Sequence, residues 1–158
     1  MPVYELKPTT NALRIAEQQY ATAKKKIQFT TFTSCIGAIT KKGEELTGVH
    51  LVIKGAPDLR GQEATFGAND VPKVLALLKL PADAAVVFGC FDVWRHPENG
   101  VVAAFEKLTN ALSEKVGKKK GLKMYQQYEK DIGDYVAEIA GEGIIVRDQY
   151  NAQLAPVV

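Results

Sequence analysis

The sequence predicts a mixed α/β (α+β) chain, a largely antiparallel sheet or sandwich with flanking helices. Three observations point there. Ile27 to Ile53 is rich in β-branched and aromatic residues around a Lys-Gly step. Ala84 to Phe91 is a continuous apolar run of strand length, as expected of a strand buried on both faces. Val101 to Val116 repeats apolar residues at helical spacing. With 158 residues, 46% of them hydrophobic, the chain can fill one core, and no repeat or linker divides it, so 1–158 reads as a single domain.

In chain order, the first expectation is a helix beginning near Thr10. Leu13, Ala16, Tyr20, Ala23 and Ile27 recur at steps of three and four. Thr9 or Thr10 serves as its N-cap, and Lys24, Lys25 and Lys26 fall in its last turn, where cations suit the helix dipole. Ile27 to Thr33 reads as a strand approach, Cys35 to Thr40 as a strand and Leu46 to Ile53 as its partner, joined by a short turn at Lys42-Gly43. Lys54 to Asn69 carries Gly55, Pro57, Gly61 and Gly67 and reads as a long loop, a candidate rim. Asp70 caps a helix with Pro72 in its first turn and Val71, Val74, Leu75 and Leu78 on one face.

After the buried strand, Val101, Ala104, Phe105, Leu108, Ala111, Leu112 and Val116 form the clearest helix, stopped by Gly117. Lys118-Lys-Lys-Gly-Leu-Lys lacks the glycine spacing of a phosphate-binding loop. Tyr125, Tyr128, Ile132 and Tyr135 predict a helix, Gly141-Glu-Gly143 a turn, and Ile144-Ile-Val a strand. The last dozen residues read as a tail or an edge segment.

Several function classes drop out. Twenty basic against eighteen acidic residues, a net charge of +2, do not suit a nucleic-acid binder. Lys79, Pro81 and Asp83 interrupt the longest apolar stretch, Val74 to Phe91, so no membrane span is expected. The N-terminal residues show no secretory pattern. Two cysteines are too few for a disulfide scaffold and read as thiols of a reducing compartment. The expected location is cytoplasmic, or one reached without a classical signal peptide.

The chemistry centres on one cysteine and one histidine. A two-residue loop at Lys42-Gly43 pairs Lys41 with Glu44, Gly37 with Gly48 and Cys35 with His50. Directly opposed residues share a face with Cβ atoms about 4.5–5.5 Å apart, so the imidazole is expected to serve as base to the thiol. The facing glycines are expected to leave a depression for substrate. Thr31 and Thr33 share the parity of Cys35 and are candidates to orient the imidazole, and the Cys35 N–H is a candidate oxyanion donor. The plain alternative is packing: free cysteine is among the most buried residue types, and His50 lies between Val49 and Leu51.

Thr33-Ser-Cys35, a strand, a short turn and His50 on the returning strand resemble the core of the Cys–His glutamine deamidases. That superfamily includes the cytotoxic necrotizing factor catalytic domain and the bacterial chemoreceptor deamidase. The resemblance spans Thr30 to Ile53, with Ser34 where the toxins have glycine. It implies a toxin- or effector-like hydrolase that attacks a glutamine carboxamide of a partner protein without metal or organic cofactor. Cys35 is then the nucleophile and His50 the base. The family's third member is a threonine or a main-chain carbonyl; Thr31 and Thr33 stand in for the former. Asp58, Arg60 and Gln62 are the expected recognition rim, with Gly37 and Gly48 against the substrate. Deamidation, transglutamination and peptide hydrolysis all remain open.

Competing readings draw on Gly89-Cys-Phe-Asp-Val-Trp-Arg-His. Cys90 and His96 with Cys35 and His50 would make a zinc set, but gaps of fourteen and five residues match no common pattern. His96 is an alternative base and Asp92 an alternative substrate contact, beside Trp94 and Arg95. The second class of function is a non-catalytic interaction module, such as an inhibitor, immunity or adaptor protein.

Overall fold

The structure is a computed structural model describing residues 2–117, 121–126 and 133–155. Among these residues nine strands form two sheets. They are β1 (Lys7–Pro8), β2 (Gln19–Lys24), β3 (Lys26–Phe32), β4 (Ile36–Lys42), β5 (Glu45–Leu51), β6 (Ala84–Gly89), β7 (Leu122–Gln126), β8 (Gly133–Ala140) and β9 (Gly143–Arg147). Three α-helices accompany them: α1 (Val71–Leu77), α2 (Phe91–Arg95) and α3 (Val102–Lys115). The fold is mixed α+β, and no helix among the described residues is long and apolar enough to cross a membrane.

The six-stranded sheet runs β1-β2-β5-β4-β6-β7, parallel only at its two edge pairs. The antiparallel β3-β8-β9 sheet covers one of its faces. Helices α1 and α3 pack on the other, where the Thr40 hydroxyl donates to the Leu78 carbonyl. Sandwiched this way, β6 is buried along its whole length, as its unbroken apolar run requires.

The expected helix from Thr10 to Ile27 is instead a stretch of turns as far as Gln18, where Ile15 bridges Phe29, followed by β2 and β3 joined at a corner. Residues Tyr20 to Lys24 pair with Val49 to Glu45, and the hydroxyls of Thr22 and Thr47 lie 2.9 Å apart. Lys25, at φ 69°, gives its N–H to the carbonyl of Glu44, in the turn between β4 and β5, and takes the Ile139 N–H of the small sheet. The stripe read as one helix face is thus divided between sheets, with Tyr20 and Ala23 half-buried on β2 and Ile27 buried on β3. Pairing with β5 and β8 satisfies the backbone while burying both flanks, and this overrides a weak local helical preference. The lysines remain exposed.

The expected helix through Tyr125 and Tyr135 is also corrected. Tyr125 lies in β7 opposite Phe88, and Tyr135 in β8 packs its ring 5.3 Å from Phe32 and 5.2 Å from Phe88. Tyr128, Ile132 and Lys118-Lys-Lys lie outside the described residues. The Ile144 strand is β9, and the terminal segment bridges it through Arg147 and Gln153. The 54–69 loop closes on itself: Lys54 bridges Thr65, and the Phe66 N–H bonds the Ile53 carbonyl at 2.8 Å.

Gly37 and Gly48 stand where the two sheets meet. A Cβ at Gly48 would strike Ile27 and Phe29, and one at Gly37 would strike Phe88 and crowd Phe32. Gly48→Ala is therefore expected to cost about 1–3 kcal/mol, the usual range for forcing a methyl into a filled core. Denaturant unfolding of the two proteins measures it, and an unchanged midpoint contradicts this packing.

Candidate functional site

The β4–β5 turn sets the site's geometry. Gly43, at φ +62°, is the first residue of a Gly43-Glu44 loop, the position where a two-residue turn most needs glycine. The Asp83 carboxylate holds it, accepting the Gly43 N–H at 2.8 Å and pairing with Lys41 at 3.6 Å. These contacts hold the Asp83 carboxyl below its usual range, the Gly43 N–H contributing most.

The predicted register therefore slips. His50 faces Gly37 rather than Cys35, and Gly48 faces Ile39 rather than Gly37. The slip moves each partner by two residues, and strand side chains alternate with period two, so His50 keeps the side of the pleat it shares with Gly37. Cys35 precedes β4, and its carbonyl continues the β4–β6 ladder by accepting the Cys90 N–H at 3.1 Å. By the same alternation it belongs with Gly37 and His50, as a diagonal neighbour, a relation that places Cβ atoms somewhat under about 7–8 Å apart.

The expected depression is filled. Phe88 and Phe32 occupy the space above Gly37, and Ile27 and Phe29 the space above Gly48. The glycines admit side chains of the small sheet and the Phe88 ring of neighbouring β6 rather than a substrate. His50 sits among the same rings, its centroid 4.5 Å from Phe32 and 6.0 Å from Phe29, and it is fully buried.

One polar contact holds the imidazole: Nδ1 lies 3.0 Å from the Ile15 carbonyl oxygen. A carbonyl only accepts, so Nδ1 carries the proton and Nε2 is left with a bare lone pair. Among the described residues, His50 Nε2 is the one buried side-chain nitrogen or oxygen without a hydrogen-bond partner. Burial pushes the His50 pKa from 6.5 down to about 4, against a smaller upward effect of the Ile15 bond.

Cys35 is 2% exposed. Burial pushes its thiol up to about 11, partly offset by backbone hydrogen bonding at Thr33 and Ser34, with Glu17 and Cys90 adding small upward effects. The resting pair is thus neutral thiol and neutral imidazole, both enclosed, with no hydrogen bond between them.

Thr31 and Thr33 do not orient the ring. Both are exposed, and the Thr31 hydroxyl donates to Asp134 at 3.0 Å. The orienting group is the Ile15 main-chain carbonyl, which no side-chain pattern announces. Asp58 turns inward on its own loop, accepting the N–H groups of Arg60 and Gln62 at 2.8 and 2.9 Å; all three residues are exposed, beside the fully exposed Leu59. In the other cluster, Asp92 accepts from Gln126 at 2.8 Å, Arg95 lies over Phe91, and exposed His96 takes the Glu98 N–H on Nδ1. Trp94 is buried, and its Nε1–H donates to the Ser34 carbonyl at 2.8 Å, steadying the approach to Cys35.

The reading of the sequence missed Tyr4. Its hydroxyl donates to the Val52 carbonyl at 2.7 Å and accepts the Val52 N–H at 2.9 Å, satisfying β5 just beyond β2. Burial raises its pKa. A cavity of about 320 Å³ opens beside it, lined by Glu63, Thr65, Asp70 and Lys73 among others. No protein-family model and no curated protein sequence matches the chain.

The lowered His50 pKa fixes a pH dependence. The unfolded chain takes up a proton as pH falls through 6.5, whereas the folded chain resists until about 4. Stability attached to His50 is therefore complete above 6.5 and lost progressively down to about 4, amounting to about 3 kcal/mol at 1.36 kcal/mol per unit. Subtracting the unfolding free energies of His50→Phe from those of the wild type across this range isolates the effect. A difference independent of pH contradicts it.

Proposed function

We propose that the chain is a cysteine-dependent amide hydrolase of the deamidase type, with Cys35 as nucleophile and His50 as base. The observation that carries this reading is the bare Nε2. A buried acceptor left unpaired costs roughly 1–3 kcal/mol, and such a group calls for an explanation that packing alone does not supply. The neutral tautomer fixed by the Ile15 carbonyl is the one a general base needs. A main-chain carbonyl is also the orienting group that the resemblance to the Cys–His deamidases allows.

In this reading the partner is a protein presenting a glutamine, and binding it opens the contact between the sheets. Nε2 takes the Cys35 proton as sulfur attacks the carboxamide carbon. The imidazolium returns that proton to the departing ammonia. Water, deprotonated by the same nitrogen, then hydrolyses the thioester to glutamate and restores the thiol. The N–H of Cys35 is the oxyanion donor of this scheme. The rim is the 54–69 loop with Asp58, Arg60 and Gln62, and no metal or organic cofactor takes part.

Enclosure of both side chains favours a second reading, a non-catalytic interaction module in which Cys35 and His50 are core. One comparison separates the two. The wild type, Cys35→Ser and His50→Phe are each expressed in cells, and glutamine-to-glutamate conversion is mapped across the proteome by mass spectrometry. The hydrolase reading expects sites converted by the wild type at least a hundredfold more than by Cys35→Ser or His50→Phe, with both variants folded. Equal backgrounds in all three leave the interaction module.

The resting thiol has its own signature. With its pKa near 11, alkylation of Cys35 in the partner-free protein is expected to be slow at pH 8 and to climb about tenfold per pH unit toward 11, as the thiolate fraction does. Fast alkylation below pH 8 would mean a thiol already activated, contrary to the enclosed resting state.

A further inference from the structure

Cys35 has a second sulfur close by. The Cys90 N–H bonds the Cys35 carbonyl at 3.1 Å, directly after the Ile36–Gly89 pair, so Cys35 and Cys90 stand opposite each other where the β4–β6 ladder ends. Opposed residues joined by such a bond have Cα atoms about 5.5 Å apart, near the mode of the disulfide range of about 4.4–6.8 Å.

Three further contacts hold this geometry. Gly89, at φ +139°, lets the strands approach so closely that a Cβ there would strike the Cys35 carbonyl and the Ile36 Cα. Trp94 Nε1 ties α2 to the Ser34 carbonyl. Cys90 is the N-cap of α2, with its carbonyl accepting the Val93 N–H at 3.2 Å. The two sulfurs differ in access: both residues are present as thiols, with Cys35 buried and Cys90 partly exposed.

We infer that Cys35 and Cys90 form a reversible disulfide across the β4–β6 ladder, made by exchange with a low-molecular-weight disulfide entering at Cys90. The Cys90 thiolate attacks one sulfur of the small disulfide and expels its first thiolate. The Cys35 sulfur then attacks the Cys90 sulfur of the mixed disulfide, expelling the second and closing the Cys35–Cys90 bond. The two protein thiols lose two electrons and two protons, and the small disulfide gains them as two thiols. Where the bond meets function it rests on the hydrolase reading, because it takes the proposed nucleophile out of service; the pairing itself does not.

The test uses the whole folded chain in mixtures of oxidised and reduced glutathione, followed by acid quench, maleimide labelling and intact-mass measurement. The wild type is expected to pass, as the mixture becomes more oxidising, from a monomer with both thiols labelled to a monomer two hydrogens lighter with neither labelled. Cys35→Ser, which lacks the resolving sulfur, is expected to accumulate one glutathione on Cys90 instead. A wild type that keeps both thiols labelled, or that stops at the Cys90 adduct as Cys35→Ser does, overturns the pairing. Glutamine conversion by the same samples separates the two ideas. A disulfide in a protein inactive in both redox states sinks the hydrolase and leaves the pairing standing. Activity in a protein that never forms the bond does the reverse.

Discussion

The structure depends on two glycines that leave two gaps on one face of the central hairpin. Without side chains at Gly37 and Gly48, the rings of Phe29, Phe32 and Phe88 and the Ile27 side chain sink onto the β4–β5 backbone. The two sheets meet there with stacked and edge-on aromatic contacts rather than a layer of interdigitated aliphatics. That contact carries the small sheet, since β3 and β8 supply Phe29, Phe32 and Tyr135 to it. It also decides the state of His50, which is packed against these rings, and burial of this kind favours the uncharged imidazole.

From that constraint the candidate site follows. The ring reaches a single hydrogen-bonding group, the Ile15 carbonyl, and this fixes its tautomer. Cys35 lies at the end of the same face, where the ladder to β6 runs out and α2 begins. The arrangement pairs a neutral thiol with a neutral base in a closed setting. In the hydrolase proposed above, such a pair stays silent and dry until a partner opens the contact between the sheets.

Much of the architecture was legible in the sequence because it rests on local signals. The β6 run is apolar at nearly every position since both of its faces are covered, and α3 shows its period because one stripe meets the sheet. The failures have a common physical origin in long-range pairing. Leu13 to Ile27 carries spacing that suits a helix, but β5 and β8 offer backbone partners on either side of Lys25, and the chain divides between them. At the candidate site the side of the pleat that His50 shares with Gly37 was readable, while register was not. The Gly43 turn is fixed by Asp83, forty residues further along the chain, and no inspection of the hairpin alone reveals that. The Ile15 carbonyl escaped for a simpler reason, since any residue supplies one.

The claim at the centre is a neutral His50 with its proton on Nδ1 and a bare Nε2 at physiological pH. Long-range proton–nitrogen correlation NMR on the nitrogen-15-labelled protein reads both ring nitrogens directly. A protonated, pyrrole-type Nδ1 and an unprotonated, pyridine-type Nε2 are expected, unchanged as the pH is lowered from 7 to 5. A ring protonated on Nε2, or one that titrates near 6.5 as a solvent-exposed histidine does, contradicts it.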